Sequence, residues 1–582
     1  MRRKHFKKYK RKTIGMRRPK YKRKKRLRNI FIGVVILLIV AAFAFALIWG
    51  LTGREQPPED QTPINTGEKP IVSETPEATP TPTPTPSPSP TTEQVDISMP
   101  ENDKTIQKVE ANTITGEIMS QGQQVDTFER EDPIQPDGTS ELEGILTYRQ
   151  NDMRNSNLSS QLTVSGNMNF STAFEAALEN NIAVDRNFEF APLVVSWDSQ
   201  TISHMNVTDE IKERGSLTEI IFAGSDGLIY FFDAQSGQAS REAIDVGVPF
   251  LCTPTLDPRG YPILYIGQSA GPSGVGSNEE IYMRAYSLVD GRRLMRVGAD
   301  ERDEFALNAI QGNSGAPIVN AASDTLIWAS QNGIIYTVKL NTSYNEQTGQ
   351  VSMDPDRTVK YRYQVANAGA KNFSIKLSPS LYDHYLFFVD ETSRLHCIDL
   401  NTMELMYAVK LQADASAAPL IYETETGLYV YTATEAVEKE GGSFAATLTL
   451  HNGTNGETIA SVDIPLQEGD SIKSIALGDS NVIVNTVGET SSILSFRKDN
   501  LEAQGSTPLE GTTYGDIQLL TDSSGTSYIA VITQEGTLSL LDENGSVVKE
   551  QNVGNNVLSA PVFWKNQLYF VTDTQLIGLQ VS

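Results

Sequence analysis

The chain has 582 residues, room for several domains at about 100–200 residues each. Its two cysteines exclude a small scaffold stapled by disulfides. The formal net charge of −24 conceals a segregation: residues 1–28 carry 17 Lys or Arg and no acid, leaving 31 bases against 72 acids in the remainder.

Directly after the basic block, Ile30 to Leu51 is a run of 22 uncharged residues. At a helical rise of 1.5 Å it spans about 33 Å, enough for a bilayer core of about 30 Å. A transmembrane helix is expected over 29–51. Lys and Arg crowd its N-terminal side, so the positive-inside rule puts 1–28 in the cytoplasm and the rest outside. The run is longer than the apolar core of a secretory signal and continues past the small-residue sites at Ala42 to Ala46, which argues against cleavage. The basic tail is expected to contact anionic lipid beside the helix. With few aromatics among its charges, no nucleic-acid partner is expected.

Residues 52–143 read as a disordered linker. Thr79 to Thr92 alternates Thr or Ser with Pro, a pattern that removes backbone donors, fixes φ and favours extended polyproline II. Residues 100–143 are acidic and poor in large apolar side chains, so loose order is expected there. Order is expected from 144 onward. Ile145-Leu146-Thr147-Tyr148 suits a short strand. Thr172-Ala173-Phe174-Glu175 has capping-box spacing and predicts a helix at about 171–180.

After residue 190 the chain reads as strand and turn. Between residue 219 and the C-terminus one phrase recurs, an apolar run, a turn, a second apolar run and often an Asp before another turn, with a period of about 40–60 residues. Its clearest copies are Gly227-Leu228-Ile229-Tyr230-Phe231-Phe232-Asp233 and Gly536-Thr537-Leu538-Ser539-Leu540-Leu541-Asp542. Small-residue runs at Ala191-Pro192, Thr253-Pro254, Ala316-Pro317, Ser378-Pro379, Ala418-Pro419, Lys473-Ser474, Gly515-Asp516 and Ala560-Pro561 mark eight starts. Pro is tolerated at strand edges and first residues rather than inside a ladder. Short antiparallel strands repeated radially make a β-propeller. The expected fold is therefore all-β, an eight-bladed propeller of four-stranded blades with seven blades as the alternative. The last unit ends too early for a fourth strand, so an N-terminal segment, 145–148 or Leu162-Thr163-Val164, is expected to complete it.

The phrase resembles the pyrroloquinoline-quinone-type (PQQ-like) propeller repeat, G-x-L-Y-A-L-D-A-x-T-G-x-x-x-W. Gly227, Tyr230, Asp233, Ala234 and Gly237 match one copy; Leu395, Ile398, Asp399 and Thr402 match another. With its basic tail, anchor and Pro-rich stalk, the layout resembles membrane-anchored propellers of Gram-positive bacteria. More distantly it is similar to the propeller scaffold lipoprotein of the outer-membrane β-barrel assembly machinery and to quinoprotein dehydrogenases. The repeat's Trp, which docks neighbouring blades in that family, falls at Arg241 and Tyr407 here. The dehydrogenases hold their quinone with adjacent cysteines, a stacking Trp and a Ca²⁺ site. This chain has no adjacent cysteines, and outside the apolar run only Trp197, Trp328 and Trp564.

Other motifs point to structure. Gly312-Asn313-Ser314-Gly315-Ala316-Pro317 looks like a trypsin-type nucleophile segment, but such a site needs a His and an Asp in register. Among upstream residues only His204 is on offer outside the tail, and the same Ala-Pro phrase opens other units. Gly271 to Ser277 is Gly-rich without the Lys-Ser/Thr of a phosphate cradle and reads as a rim loop. His5, His204, His384, His396 and His451 lack metal-ligand spacing, and His396 reads as a structural strand residue. Glu423, Glu425, Glu435, Glu438 and Glu440 surround one hairpin and offer an acidic face to solvent or to a basic partner. Cys252 and Cys397 are expected to be buried thiols. No catalytic, cofactor-binding or metal-binding residue is assigned. The expected function is a non-catalytic, membrane-anchored extracellular scaffold that binds an envelope protein or cell-wall ligand at its rim loops. A quinoprotein-like or polysaccharide-directed enzyme is the alternative.

Overall fold

The computed structural model describes residues 99–582, apart from 112, 138–139, 141, 156–157, 160–161, 185–187, 269–280, 300–302, 308–311 and 367–372. The expected anchor, the Pro-rich stretch and the loop at 271–277 therefore lie outside the described residues. Among the described residues no helix is long and apolar enough to cross a membrane.

Among the described residues eight sheets of at least four strands follow one another around an axis, and one two-stranded hairpin, Ser343–Asn345 with Gln350–Ser352, stands apart from them. Blade 1 is built on Leu193–Trp197, Leu217–Ala223 and Leu228–Asp233; blade 2 on Thr255–Leu256, Ile263–Gly267, Ile281–Ser287 and Arg293–Ala299; blade 3 on Ile318–Asn320, Thr325–Ala329, Ile334–Lys339 and Asp356–Val365; and blade 4 on Ser380–Tyr382, Tyr385–Asp390, Arg394–Asp399 and Glu404–Lys410. Blade 5 runs from Leu420–Glu423 to Thr458–Leu466, blade 6 from Ser471–Leu477 to Ala503–Pro508, blade 7 from Gln518–Thr521 to Val547–Asn552, and blade 8 holds Val562–Trp564, Gln567–Val571 and Gln575–Val581. The middle strands are buried on both faces, as in Leu228–Asp233, because each blade is sandwiched between two others. Blade number and antiparallel pairing agree with the eight starts of the repeat.

Each part of the repeated phrase has a physical task. The Asp caps the turn after the third strand: Asp542 Oδ1 accepts from the backbone N–H of Asn544 and Ser546 at 2.9 and 2.8 Å. Asp399 does the same for Asn401 and Thr402, a side-chain mimic of a backbone turn. The Gly that follows is where the previous blade docks. A Cβ on Gly456 of blade 5 would fall 2.4 Å from Val409 Cγ2 and 2.7 Å from Tyr407 Cδ2 of blade 4, and its φ is +79°.

The positions where the family's repeat carries Trp are filled by other interlocks. Tyr407 is buried and donates its hydroxyl to the Gly453 carbonyl of blade 5 at 2.7 Å. Arg241 is buried over the Phe231 ring at 5.0 Å and pairs with Glu219 at 2.8 Å. It also donates to the Leu288 carbonyl of blade 2. Glu219 accepts in addition from Trp197 Nε1 and Ser240. A buried ion pair whose remaining donors and acceptors are all engaged can stand where an indole would.

Three expectations are corrected. Residues 170–177 form a strand, not a helix: Phe170–Ala177 pairs with Gln575–Val581 and is the fourth strand of blade 8. Local helix propensity yields because a ring with an unpaired last strand leaves a row of backbone groups unsatisfied, and this segment fills it. Neither 145–148 nor 162–164 closes the ring. Gly144–Ile145 pairs with Val194–Val195 of blade 1, and Leu162 accepts from Ser523 N of blade 7. Within blade 1, where only strand and turn are expected, two short helices, Ser199–His204 and Asp209–Arg214, connect the strands. The first is capped by the Asp198 carboxylate.

The segment expected to be loosely ordered before 144 is also paired. Ile114–Ser120 runs antiparallel to Asp356–Val365 on the outer edge of blade 3, in register from Ile114 with Val365 to Ser120 with Val359. Ile118 and Ile134 are buried against that blade and blade 4. Two apolar residues in an acidic stretch are enough when a neighbouring strand edge supplies the hydrogen bonds.

Substituting Gly456→Val adds a side chain against Tyr407 and forces a left-handed φ, so a loss of about 2–4 kcal/mol is expected in denaturant unfolding. Unchanged stability contradicts the docking role. His451 is buried, with its ring on the Thr432 hydroxyl at 3.0 Å, and burial lowers its pKa to about 4 from an unfolded 6.5. The unfolded chain takes up this proton first, so the stability held above pH 6.5 falls as pH drops towards 4, by on the order of 3 kcal/mol. His451→Gln is expected to flatten the pH dependence of unfolding across that window.

Candidate functional site: the ring axis

The eight starts meet at the axis and are laced together. The Thr255 hydroxyl of blade 2 donates to the Pro317 carbonyl of blade 3 at 2.8 Å, and Ser380 of blade 4 to the Pro419 carbonyl of blade 5 at 2.5 Å. Ser314 donates to the Lys376 carbonyl, and Ala316 N to the Ser378 hydroxyl. Ser416 reaches the Ile472 carbonyl, and Ile517 N reaches the Ser474 hydroxyl. Blades 1 and 2 share Thr253 with the Glu189 carbonyl, and Ala560 N of blade 8 reaches the Phe190 carbonyl of blade 1. At the seam of blades 7 and 8 the backbones touch, because a Cβ on Gly515 would lie 2.2 Å from Ala560 N. Small residues are needed here because eight strands converge. Pro at a start brings no N–H to be left unsatisfied while its carbonyl remains available.

The axis is not open through the ring, since residues 144–155 lie along it. Leu146 O accepts from Leu256 N of blade 2, Asp152 O from Leu381 N of blade 4, and Met153 O from Ile421 N of blade 5. Leu158–Ser159 then pairs in parallel with Leu520–Thr521 of blade 7. Arg154 is fully buried and spends its guanidinium on carbonyls: Pro379 at 3.1 Å, Tyr148 at 2.8 Å and Ala316 at 3.3 Å. Deeper lies a charged knot. Asp516 accepts from the Tyr148 hydroxyl, with Arg149 at 3.7 Å and Lys473 at 3.6 Å. Glu189 accepts from Ser378 N at 2.8 Å and from its hydroxyl at 2.5 Å. Burial, reinforced by the Asp516 charge, holds the Glu189 carboxyl above its ordinary pKa. The void left beside Arg149 and Arg154 is about 10 Å³.

On the other side of the threading segment is a cavity of about 590 Å³ at the mouth of the axis. Its floor is the threading segment at Leu146, Gln150, Asp152 and Met153; its walls are the ends of the first strands of blades 2 to 5, with Asp383 and Glu423. Asp137 closes one side, held by the N–H groups of Ala321 and Ala322 at 2.7 and 2.9 Å. Asp152 is open to the cavity yet deep in the ring. Burial raises its carboxyl pKa to about 6, with Arg154 opposing and the Asp137 charge adding to the rise.

The residues singled out in the sequence fall as follows. Ser314 sits at the start of blade 3, where its hydroxyl donates to Lys376 O and accepts from Gln331. His204 lies half-buried on a short helix, with its ring on the Glu346 carbonyl. His396 is buried against Asp390 at 3.1 Å and stacks on Phe388 at 4.7 Å, a packing role. Glu423 faces the axial cavity, whereas Glu435 lies one strand length away, beyond Leu428–Ala433, so the acidic stretch is divided between two faces. Cys252 and Cys397 are buried in blades 2 and 4 and are not cross-linked. The sequence reading missed Tyr148, Arg149, Arg154, Glu189 and Asp516. The available signal was the charged residues Glu189, Lys473 and Asp516 within or beside otherwise small-residue starts.

The residues do not fit a quinone cofactor of the kind the repeat's name suggests. The axis beneath the cavity is filled by the chain's own Tyr148, Arg149 and Arg154. Trp328 is stacked on Tyr336 at 4.7 Å inside the blades, and Trp197 is bonded to Glu219. Among the described residues no three His, Cys, Asp or Glu side chains come together closely enough to hold one metal ion.

The strand pairing defines an eight-bladed β-propeller with an occupied axis. No protein-family model matches the chain, and no curated protein matches it. Solved structures with a similar fold include BamB from Moraxella catarrhalis, 15% identical, covering 71% of this chain and 98% of that one with a TM-score of 0.42. Quinohemoprotein alcohol dehydrogenase from Comamonas testosteroni is 10% identical, with coverage of 75% and 80% and a TM-score of 0.48. The computationally designed Ika8 protein is 12% identical, with coverage of 62% and 93% and a TM-score of 0.40. These are likenesses of fold.

Arg154→Met removes a donor to several buried carbonyls. A loss of about 3 kcal/mol or more is expected in equilibrium unfolding, with Arg154→Lys recovering only part of it because an ammonium lacks the planar fork. A loss below about 0.5 kcal/mol contradicts the account of the threaded axis.

Proposed function

We propose that this protein is a single-pass membrane protein of the cell envelope whose extracytoplasmic propeller is a non-catalytic scaffold for an envelope protein or cell-wall ligand. The basic tail and the apolar run Ile30 to Leu51 support the anchor and its orientation, with 1–28 cytoplasmic and in contact with lipid. The observation that carries the binding role is the threaded axis. The buried charges there are engaged with one another and with backbone carbonyls, as scaffolding is, and what remains accessible is a shaped mouth on one face. Propellers present such mouths and rim loops on a rigid ring, so recognition needs little reordering of the protein.

Cross-linking in intact cells followed by capture of the full chain tests this. A defined envelope component is expected to be recovered with the unaltered chain and lost when Asp383 and Glu423 at the mouth are changed to Lys. It is expected to be retained when Glu438 and Glu440 are changed in the same way. Equal recovery from both variants contradicts the assignment of the face. Turnover of an envelope polysaccharide by the purified chain contradicts the non-catalytic reading.

A further inference from the structure

Four carboxylates, Asp137, Asp152, Asp383 and Glu423, line the 590 Å³ cavity at the mouth of the axis. Their balancing charges are few. Lys104, from the segment that crosses blade 5, pairs with Glu423 at 2.9 Å. His384 lies 3.1 Å from Asp383. Arg154 lies below Asp152 but directs its N–H groups to carbonyls, and Arg259, towards Asp137, is held by Asp257 and Asp324 at 2.6 and 2.7 Å. The Asp152 carboxylate has no hydrogen bond or ion pair among the described residues, although the residue is partly buried at the floor of the cavity and its main chain is tied to blade 4.

A partly buried carboxylate without a partner, in a cavity lined by three more acids, favours a cation that supplies the missing charge. The remaining lining narrows the choice of what supplies it. Leu146, Met153 and Leu381 give apolar wall, and Tyr382 gives an aromatic face. The acids are too dispersed for any three of them to ligate one metal ion. A cavity of this size suits a group of several heavy atoms, with methylenes against the apolar wall and the charge towards the acids.

We propose that this cavity binds the basic side chain of a partner polypeptide, an alkylammonium or guanidinium group seated on Asp152 and Asp383 with its stem against Leu146 and Met153. This deepens the scaffold reading and rests on it for the partner, while the cavity's affinity for an organic cation is measurable without one. Neither Asp152 nor Asp383 is used in the lacing of the blades, so the site and the ring are separable by substitution.

The test is calorimetric titration of the full chain in detergent micelles with four probes: n-hexylammonium, a blocked Gly-Lys-Gly peptide, n-hexanol and Ca²⁺ alone. The ammonium and the lysine peptide are expected to bind and hexanol is not. Asp152→Asn combined with Asp383→Asn is expected to weaken both by about tenfold or more, with unfolding midpoints no lower than that of the unaltered chain. Affinity is expected to fall as pH drops through about 6, where Asp152 takes up its proton and its charge is lost, and this step is expected to vanish in Asp152→Asn. No binding of either cation, binding of hexanol as tight as hexylammonium, or an unaffected double variant overturns the site. Ammonium binding without peptide binding overturns the polypeptide as its source, and Ca²⁺ displacing the ammonium overturns the organic cation in favour of a metal. If the cations bind as expected but cell-surface capture fails, the scaffold reading falls and the site stands.

Discussion

The hydrogen bonds that lace one blade's start to the next are the constraint on which the rest depends. Eight strands can converge on an axis only if their side chains are small, and small side chains bury too little apolar surface to hold the centre together. The Ser and Thr hydroxyls, aimed at the carbonyls of Pro317, Pro419 and Lys376, resolve that conflict. Each is worth about 1 kcal/mol net, but leaving the buried carbonyls unpaired would cost more. Outside this belt the blades can be degenerate. Arg241 with Glu219, and Tyr407 with the Gly453 carbonyl, dock neighbouring blades without the repeat's Trp.

The same segment that closes the ring also fills it. Before the first full blade the chain touches blades 5 and 4, adds Ile114–Ser120 to the outer edge of blade 3, lies along the axis from Gly144 to Asn155, and supplies Phe170–Ala177 as the fourth strand of blade 8. Closure by Phe170–Ala177 removes the exposed strand edge that a linear array of blades would leave. The threading converts a through-channel into a closed floor, and the acids above that floor form the accessible cavity. The axial cavity and the closure of the ring thus both depend on the stretch that precedes the first full blade.

Much of the ring was legible in the sequence because it is local. The turn Asp, the following Gly and the Pro-bearing starts are set by neighbours within a few residues, and they return the blade count. The threading segment was not legible, because its pairings join residues separated by hundreds of positions. Phe170-Ser-Thr-Ala-Phe-Glu-Ala-Ala carries local signals for a helix, and only the empty edge of Gln575–Val581 makes it a strand. Asp152 and Arg154 lie in a polar stretch with no periodicity, and nothing nearby distinguishes a fully buried Arg154 from any surface arginine. Glu423 was legible as part of an acidic hairpin, but its separation from Glu435 on another face required the strand between them.

Hydrogen exchange of the full chain, followed by peptide mass spectrometry, tests the central claim most directly. If residues 144–155 thread the axis, their amides exchange as slowly as those of the innermost strands, such as Ile318–Asn320 and Leu420–Glu423, because both open only with the ring. Exchange of 144–155 within seconds while those strands stay protected would contradict the account.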